Sequence, residues 1–220
     1  MARRMTLATL ALALAACGPL NEGGLGSRIA ALAAARVGLG APPQAATPPA
    51  PATVPRAEAL ANPGTYLRVG ERRTERFDTM VVAGQIGPRV TWIDSRQVTL
   101  TLQEGLLVAT RGLPRDLMGA DVAETRAALR RGGGTARRVH DYLDDQDQIA
   151  RELLHCSIEL KGPETIEILD IRRQTRRFEE TCSGDVLSFT NIYWVDAAGR
   201  VPRSLQAVSP EAGYLQIDAY

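Results

Sequence analysis

Residues 187–195, LSFTNIYWV, and the DAAG that follows at 196–199 indicate an antiparallel sheet more clearly than any other part of the chain. The first segment is rich in β-branched and aromatic residues, which are enriched in strands. The second has Asp first and Gly last, as a type I turn with a bulge prefers. Residues 200–208 are therefore expected to return antiparallel to 187–195.

Short alternating segments extend this pattern in both directions. Before the hairpin, apolar and polar positions alternate within the segments 77–83, 90–95, 98–102, 106–110, 155–160, 165–171 and 176–182, and after it within 214–219. One short surface helix is expected at 121–131, ended by Gly132, Gly133 and Gly134. Repeated strands with short turns predict a mainly β fold, an antiparallel β-sandwich or open barrel with one or two short helices.

The N-terminus has the layout of an export signal. Arg3 and Arg4 precede an apolar run of 12 residues, Met5 to Ala16. As a helix this run is about 18 Å long, against roughly 30 Å for a hydrocarbon core. Its last residues, with Cys17, read LAAC and are similar to the lipobox of bacterial lipoproteins, which implies a lipidated Cys17. The alternative is an ordinary signal peptide followed by a chance cysteine.

These observations divide the chain into three parts. Residues 1–16 are the predicted signal peptide, and residues 17–65 a lipidated tether. The tether holds a short alanine-rich helix at 27–37 and an alanine- and proline-rich linker at 40–55, which has no periodicity that would bury a core. Residues 66–220 form the β-rich domain.

Two cysteines remain once Cys17 is assigned to lipid. Cys156 and Cys182 are an even pair in a chain predicted to reach an oxidising compartment. A disulfide between them is expected to stabilise the fold by about 3 kcal/mol. The alternative is two buried thiols in neighbouring strands.

Candidate chemistry is sparse. The formal net charge of +1 provides no argument for nucleic-acid binding. His140 and His155 lie in no spaced ligand motif, so no metal or other cofactor is predicted. Asp94 and Asp170 are carboxylates that a glycosidase mechanism would need in pairs, but nothing in the spacing selects them. The sequence therefore predicts a protein that is not an enzyme.

Several segments carry a family resemblance. They are VTWIDS at 90–95, GLLVATRGLP at 105–114, GPETIEI at 162–168, FTNIYWVD at 189–196 with Gly199, SLQ at 204–206, and Pro210. With the lipobox, they resemble the YjbF/GfcB lipoprotein family. The resemblance implies a mainly β, non-enzymatic accessory lipoprotein in exopolysaccharide or group 4 capsule production and export. Its implied partners are a polysaccharide export outer-membrane protein and a periplasmic β-grasp protein.

Two other functions stay open from the residues: a periplasmic polysaccharide-modifying enzyme and a purely structural outer-membrane lipoprotein. Sorting to the periplasmic face of the outer membrane is expected, because Gly18 and not aspartate follows Cys17.

Candidate polysaccharide contacts are aromatic rings and arginines on strands. Trp92, Tyr193 and Trp194 could stack on sugar rings, although large rings on central strands are more often core. Tyr193 and Trp194 are expected on opposite faces of their strand. Arg173 and Arg177 are expected to share one face that contacts an anionic polymer; the alternative is that they keep an edge strand soluble.

Overall fold

The computed structural model describes residues 54–74 and 76–220. The predicted signal peptide, Cys17, the helix at 27–37 and most of the linker lie outside these residues. The helices are α1 (Arg56–Ala61) and α2 (Ala123–Arg131). The strands are β1 (Tyr66–Glu71), β2 (Arg76–Ile86), β3 (Arg89–Ile93), β4 (Thr99–Gln103), β5 (Leu106–Arg111), β6 (Gly119–Asp121), β7 (Gly134–Leu143), β8 (Ile149–Ile168), β9 (Ile171–Ser183), β10 (Ser188–Val195), β11 (Arg203–Ser209) and β12 (Gly213–Ala219).

All 12 strands belong to one antiparallel sheet, in the order β5-β4-β3-β2-β1-β12-β11-β10-β9-β8-β7-β6. Two meanders, β1 to β5 and β6 to β12, are joined where β1 pairs with β12. The two edge strands, β5 and β6, come together. The Thr110 N–H of β5 donates to the carbonyl of Leu117, which lies just before β6, at 2.9 Å. The sheet is thus a nearly closed barrel, and the predicted mainly β, antiparallel fold with short helices is confirmed.

Successive side chains of a strand point to opposite faces of the sheet, so every second side chain points into the barrel. The predicted hairpin forms, with Ile192 of β10 opposite Leu205 of β11. Fully buried side chains such as Leu154, Phe178 and Leu215 form the interior. Burying a side chain of this kind stabilises the fold by about 1.5–3 kcal/mol relative to leaving it exposed.

Four strands differ from the sequence prediction, and two of them, β1 and the three-residue β6, were not predicted as strands. The predicted segments 155–160 and 165–171 are not two separate strands: 155–160 and 165–168 belong to β8, which is 20 residues long and has a bulge between Leu160 and Gly162. The chain turns at 169–170, and Ile171 begins β9. A bulge accommodates Gly162 and Pro163 without ending the strand. Strand β7 was not predicted, since its alternating positions carry charged as well as apolar residues.

Helix α2 follows the expected pattern. Asp121 accepts a hydrogen bond from the Ala123 N–H at 2.9 Å, and the helix ends at Gly132, whose φ is 93°. At Gly133, where φ is 131°, a Cβ would lie 2.8 Å from the carbonyl oxygen of Ile158, so only glycine fits there. Within 54–74 and 76–220, no helix has the length and apolar character needed to cross a bilayer.

A disulfide joins the two longest strands. Cys156 on β8 lies directly opposite Cys182 on β9, with their Cα atoms 4.0 Å apart and their sulfurs bonded. Both residues are buried in the core. The bond therefore fixes the register of β8 against β9 from inside the barrel.

The β8–β9 hairpin extends past the end of β10, whose last pair with β9 is Val195 opposite Arg176. We call its distal part, residues 163–175, the arm. The Arg203 guanidinium donates to the carbonyl of Glu167 at 3.1 Å, and Arg56 of α1 donates to the carbonyl of Leu169 at 2.8 Å. These contacts attach the arm tip to the barrel.

Candidate functional site

An ion pair lies inside the barrel. Arg138 of β7 and Glu180 of β9 have side chains with 0% exposure, and Nη1 of Arg138 is 2.8 Å from a carboxylate oxygen of Glu180. Alternation places both side chains on the inner face of their strands. Removing two charges from water is costly unless further hydrogen bonds satisfy them.

Those further bonds are present. Glu180 accepts from the hydroxyl of Thr125 on α2, from the amide of Asn191 at 2.8 Å and from the hydroxyl of Tyr193 at 2.7 Å. Arg138 also donates to the hydroxyl of Tyr193 at 3.1 Å. The pair is therefore fully embedded in a network that links α2, β7, β9 and β10.

His140 extends the network in one defined tautomer. The Tyr142 hydroxyl donates to the carbonyl of Val208 at 2.6 Å, so its oxygen accepts from Nδ1 of His140, 3.0 Å away. Nε2 of His140 then carries no proton and accepts from Nε of Arg138 at 2.9 Å. Burial, and secondly the Arg138 charge, hold the pKa of His140 well below 6.5, so the ring is neutral.

This network has a structural role. Arg138, His140, Glu180 and Tyr193 are each at most 1% exposed, which leaves no path for a substrate to reach them. Sequence analysis missed Arg138 and Glu180 as partners. The sequence did contain a signal for the interior position of Arg138. In β7 every second residue points inward, and the polar residues Arg138 and His140 occupy inward positions.

Three carboxylates gather around Arg96. Nη2 of Arg96 lies 2.8 Å from Glu71, 3.0 Å from Asp94 and 3.2 Å from Asp78. The cavity beside them holds about 10 Å³, which is room for about one water and not for a sugar ring. The carboxylates therefore do not form a glycosidase cleft.

The other acid considered from sequence, Asp170, is far less constrained. It lies at the arm tip, where its exposed side chain is 3.5 Å from Arg56. The structure thus places Asp94 and Asp170 in two separate ion-pair clusters and does not bring them together.

The aromatic residues predicted as contacts lie in three environments. Tyr193 is fully buried in the interior network, and Trp92 of β3 is 6% exposed among core residues. Trp194 is half-buried and lies on the face of β10 opposite to Tyr193, as expected. Of these three residues, only Trp194 is partly exposed on the outer wall.

Trp194 is next to one of the predicted arginines. It is the register partner of Arg177 on β9 and of Arg203 on β11, so the tryptophan lies between two arginine residues in the sheet. Arg177 is 2.6 Å from Glu179, and Arg173 lies four residues along the same strand. Nε1 of Trp194 and Nε of Arg173 are buried and have no hydrogen-bond acceptor among the described residues.

The fold and these sites define a class: a small antiparallel barrel protein with an internal ion pair and a basic, aromatic row on its outer wall. The chain belongs to the family described as group 4 capsule polysaccharide lipoprotein gfcB, YjbF, whose profile matches residues 10–219. Membership in a lipoprotein family implies lipid anchoring to a bacterial membrane. The predicted family resemblance is confirmed.

A solved structure supports the fold. The crystal structure of the hypothetical lipoprotein YmcC from Escherichia coli K12 is similar with a TM-score of 0.64 and 18% sequence identity, over 75% of this chain and 87% of that chain. No curated protein matches the chain significantly.

Proposed function

We propose that this chain is a non-catalytic accessory protein in exopolysaccharide or capsule production and export. Lipid on Cys17 holds it at the periplasmic face of the outer membrane, beside a polysaccharide export outer-membrane protein and a periplasmic β-grasp partner. The observation that carries the proposal is the family match over residues 10–219, which includes the lipobox as well as the whole barrel.

The outer wall supplies the surface that contacts polysaccharide. Trp194 is half-buried beside the half-buried Arg177 on the outer wall. Arginine donates to sugar hydroxyls and binds uronate carboxylates through a bidentate fork. Tyr193 and Trp92 are buried and do not belong to this surface.

The first test measures surface and secreted polysaccharide in a deletion strain. We expect polymer to fall in the deletion strain, wild type to restore it, and Cys17→Ala to leave it low at an equal protein level. Unchanged polymer in the deletion strain contradicts the proposal. Full restoration by Cys17→Ala contradicts the need for the anchor.

A second pair of variants tests the surface. Arg173→Gln with Arg177→Gln removes the two half-buried arginines, whereas Arg172→Gln with Arg176→Gln removes the two exposed neighbours on the other face of β9. We expect only the first pair to lose polymer, with both proteins folded to the same level. Equal restoration by both pairs would remove the arginine surface from the proposal and leave the accessory role standing.

A further inference from the structure

A second site lies at one end of the barrel. We call this end, formed by the β2–β3, β4–β5 and β10–β11 turns, the α1 end, because the chain passes from α1 into β1 there. A cavity of about 380 Å³ opens at it, within the range of ligand pockets, roughly 300–1,000 Å³. Leu67, Trp92 and Leu102 form its apolar wall, and Arg126 and Arg200 lie at its rim. We call this cavity the barrel mouth.

One hydrogen-bond donor in the wall of the barrel mouth, the indole N–H of Trp92, has no acceptor among the described residues. Trp92 is 6% exposed, and its Nε1 is buried. A buried N–H group without a partner destabilises the protein until an acceptor satisfies it. A ligand that fits the mouth therefore combines apolar surface with an oxygen that accepts a hydrogen bond.

The charged residues at the rim of the barrel mouth favour a ligand of negative charge. Arg126 and Arg130 of α2 share the single carboxylate of Glu104. Arg200 pairs with Asp196 at 2.8 Å, so three arginines, Arg126, Arg130 and Arg200, stand against two carboxylates at the rim. The arginines around the mouth thus exceed the acids that neutralise them, and an anionic head group is attracted to the rim.

The β2–β3 hairpin adds exposed apolar surface beside the same opening. Ile86 is 85% exposed and Val82 is 43% exposed, and Pro88 at the turn lines the mouth itself. Exposed apolar surface next to a basic rim is typical of a site that receives lipid.

We propose that the barrel mouth binds one hydrocarbon chain of an anionic lipid, with the chain against Leu67, Trp92 and Leu102 and the phosphate on the rim arginines. The site is separate from the arginine row on the outer wall. Its ligand chemistry, a hydrocarbon chain ending in a phosphate, is shared by bilayer phospholipids and by polyprenyl phosphates.

The test uses tryptophan fluorescence, because the chain has two tryptophans, Trp92 and Trp194. In the chain without its signal peptide and with Cys17→Ser, the substitution Trp194→Phe leaves Trp92 as the reporter. Dodecyl phosphate, kept below its micelle concentration, is expected to change the Trp92 emission saturably, whereas inorganic phosphate alone leaves it unchanged. No saturable change, or the same change with inorganic phosphate, overturns the proposal.

Two variants locate the binding. Ala219→Phe fills the mouth and is expected to weaken binding of dodecyl phosphate at least about tenfold. Arg126→Gln with Arg200→Gln removes the two arginines that line the rim, while Arg130 still pairs with Glu104, and is expected to weaken it about tenfold. Arg172→Gln on the arm serves as the matched control and should bind as wild type does. Wild-type affinity in both mouth variants overturns the assignment.

Competition distinguishes the two lipid sources. Displacement of dodecyl phosphate by phosphatidylglycerol vesicles supports a bilayer phospholipid as the ligand. Displacement by a polyprenyl phosphate but not by the vesicles supports a lipid carrier. Failure of both competitors to displace the probe overturns the proposal for lipid, independently of the polymer measurements above.

Discussion

Replacing Glu180 by glutamine should destabilise the barrel severely. The substitution keeps the shape of the side chain and removes its charge, so the Arg138 guanidinium stays buried without its counter-ion. The new amide group also presents N–H donors where Thr125, Asn191 and Tyr193 now donate to the carboxylate.

The magnitude follows from the complete burial of both partners. Breaking a buried ion pair by removing one member costs about 3–5 kcal/mol, because the remaining charge is uncompensated. For a domain of this size the loss corresponds to about 6–20 °C in Tm. Urea denaturation of the chain without signal peptide and lipid measures the change in the free energy of unfolding.

Two comparisons make this result interpretable. Glu179→Gln alters the next residue on β9, whose carboxylate pairs with Lys161 and Arg177 on the surface, and should cost about 1 kcal/mol or less. Arg138→Met combined with Glu180→Leu removes both charges and should cost less than Glu180→Gln alone. If Glu180→Gln loses no more than Glu179→Gln, the interior pair does not stabilise the fold as argued.

Two further predictions concern the disulfide and pH. Replacing Cys156 and Cys182 by alanine together should lower the free energy of unfolding by about 2–4 kcal/mol, and dithiothreitol should then have no further effect on urea denaturation. Since the pKa of His140 lies well below 6.5 in the folded state, the unfolded state binds more protons as pH falls below 6.5, and stability decreases. His140 therefore makes the folded state less stable at pH 5 than at pH 7. Urea denaturation at a series of pH values measures how the free energy of unfolding depends on pH. We expect the same dependence in wild type and in the exposed-site control His155→Gln, and a weaker one in His140→Gln. Equal dependence in all three proteins contradicts the role of His140.

Local sequence patterns predicted those parts of the fold that depend on local physics. Alternation within 187–195 and the turn chemistry of 196–199 place β10 and β11 side by side, because a strand has a period of two and the turn sets the return. The glycine after α2 ends the helix in the left-handed region that favours glycine. Prediction failed at β7 and at the bulge of β8, where the barrel directs charged residues inward and keeps Gly162 within a strand.

The sequence by itself determined the mainly β class and the short helix, since each depends on residues close together in the chain. It also determined the family membership, which the profile match over residues 10–219 confirms. Tertiary structure alone decided that the sheet nearly closes into a barrel and which polar side chains meet inside it. Arg138 and Glu180 are 42 positions apart and lie on strands separated by β8 in the sheet. Only the curvature of the closed sheet brings them to 2.8 Å, and the same closure forms the barrel mouth from turns that are distant in sequence.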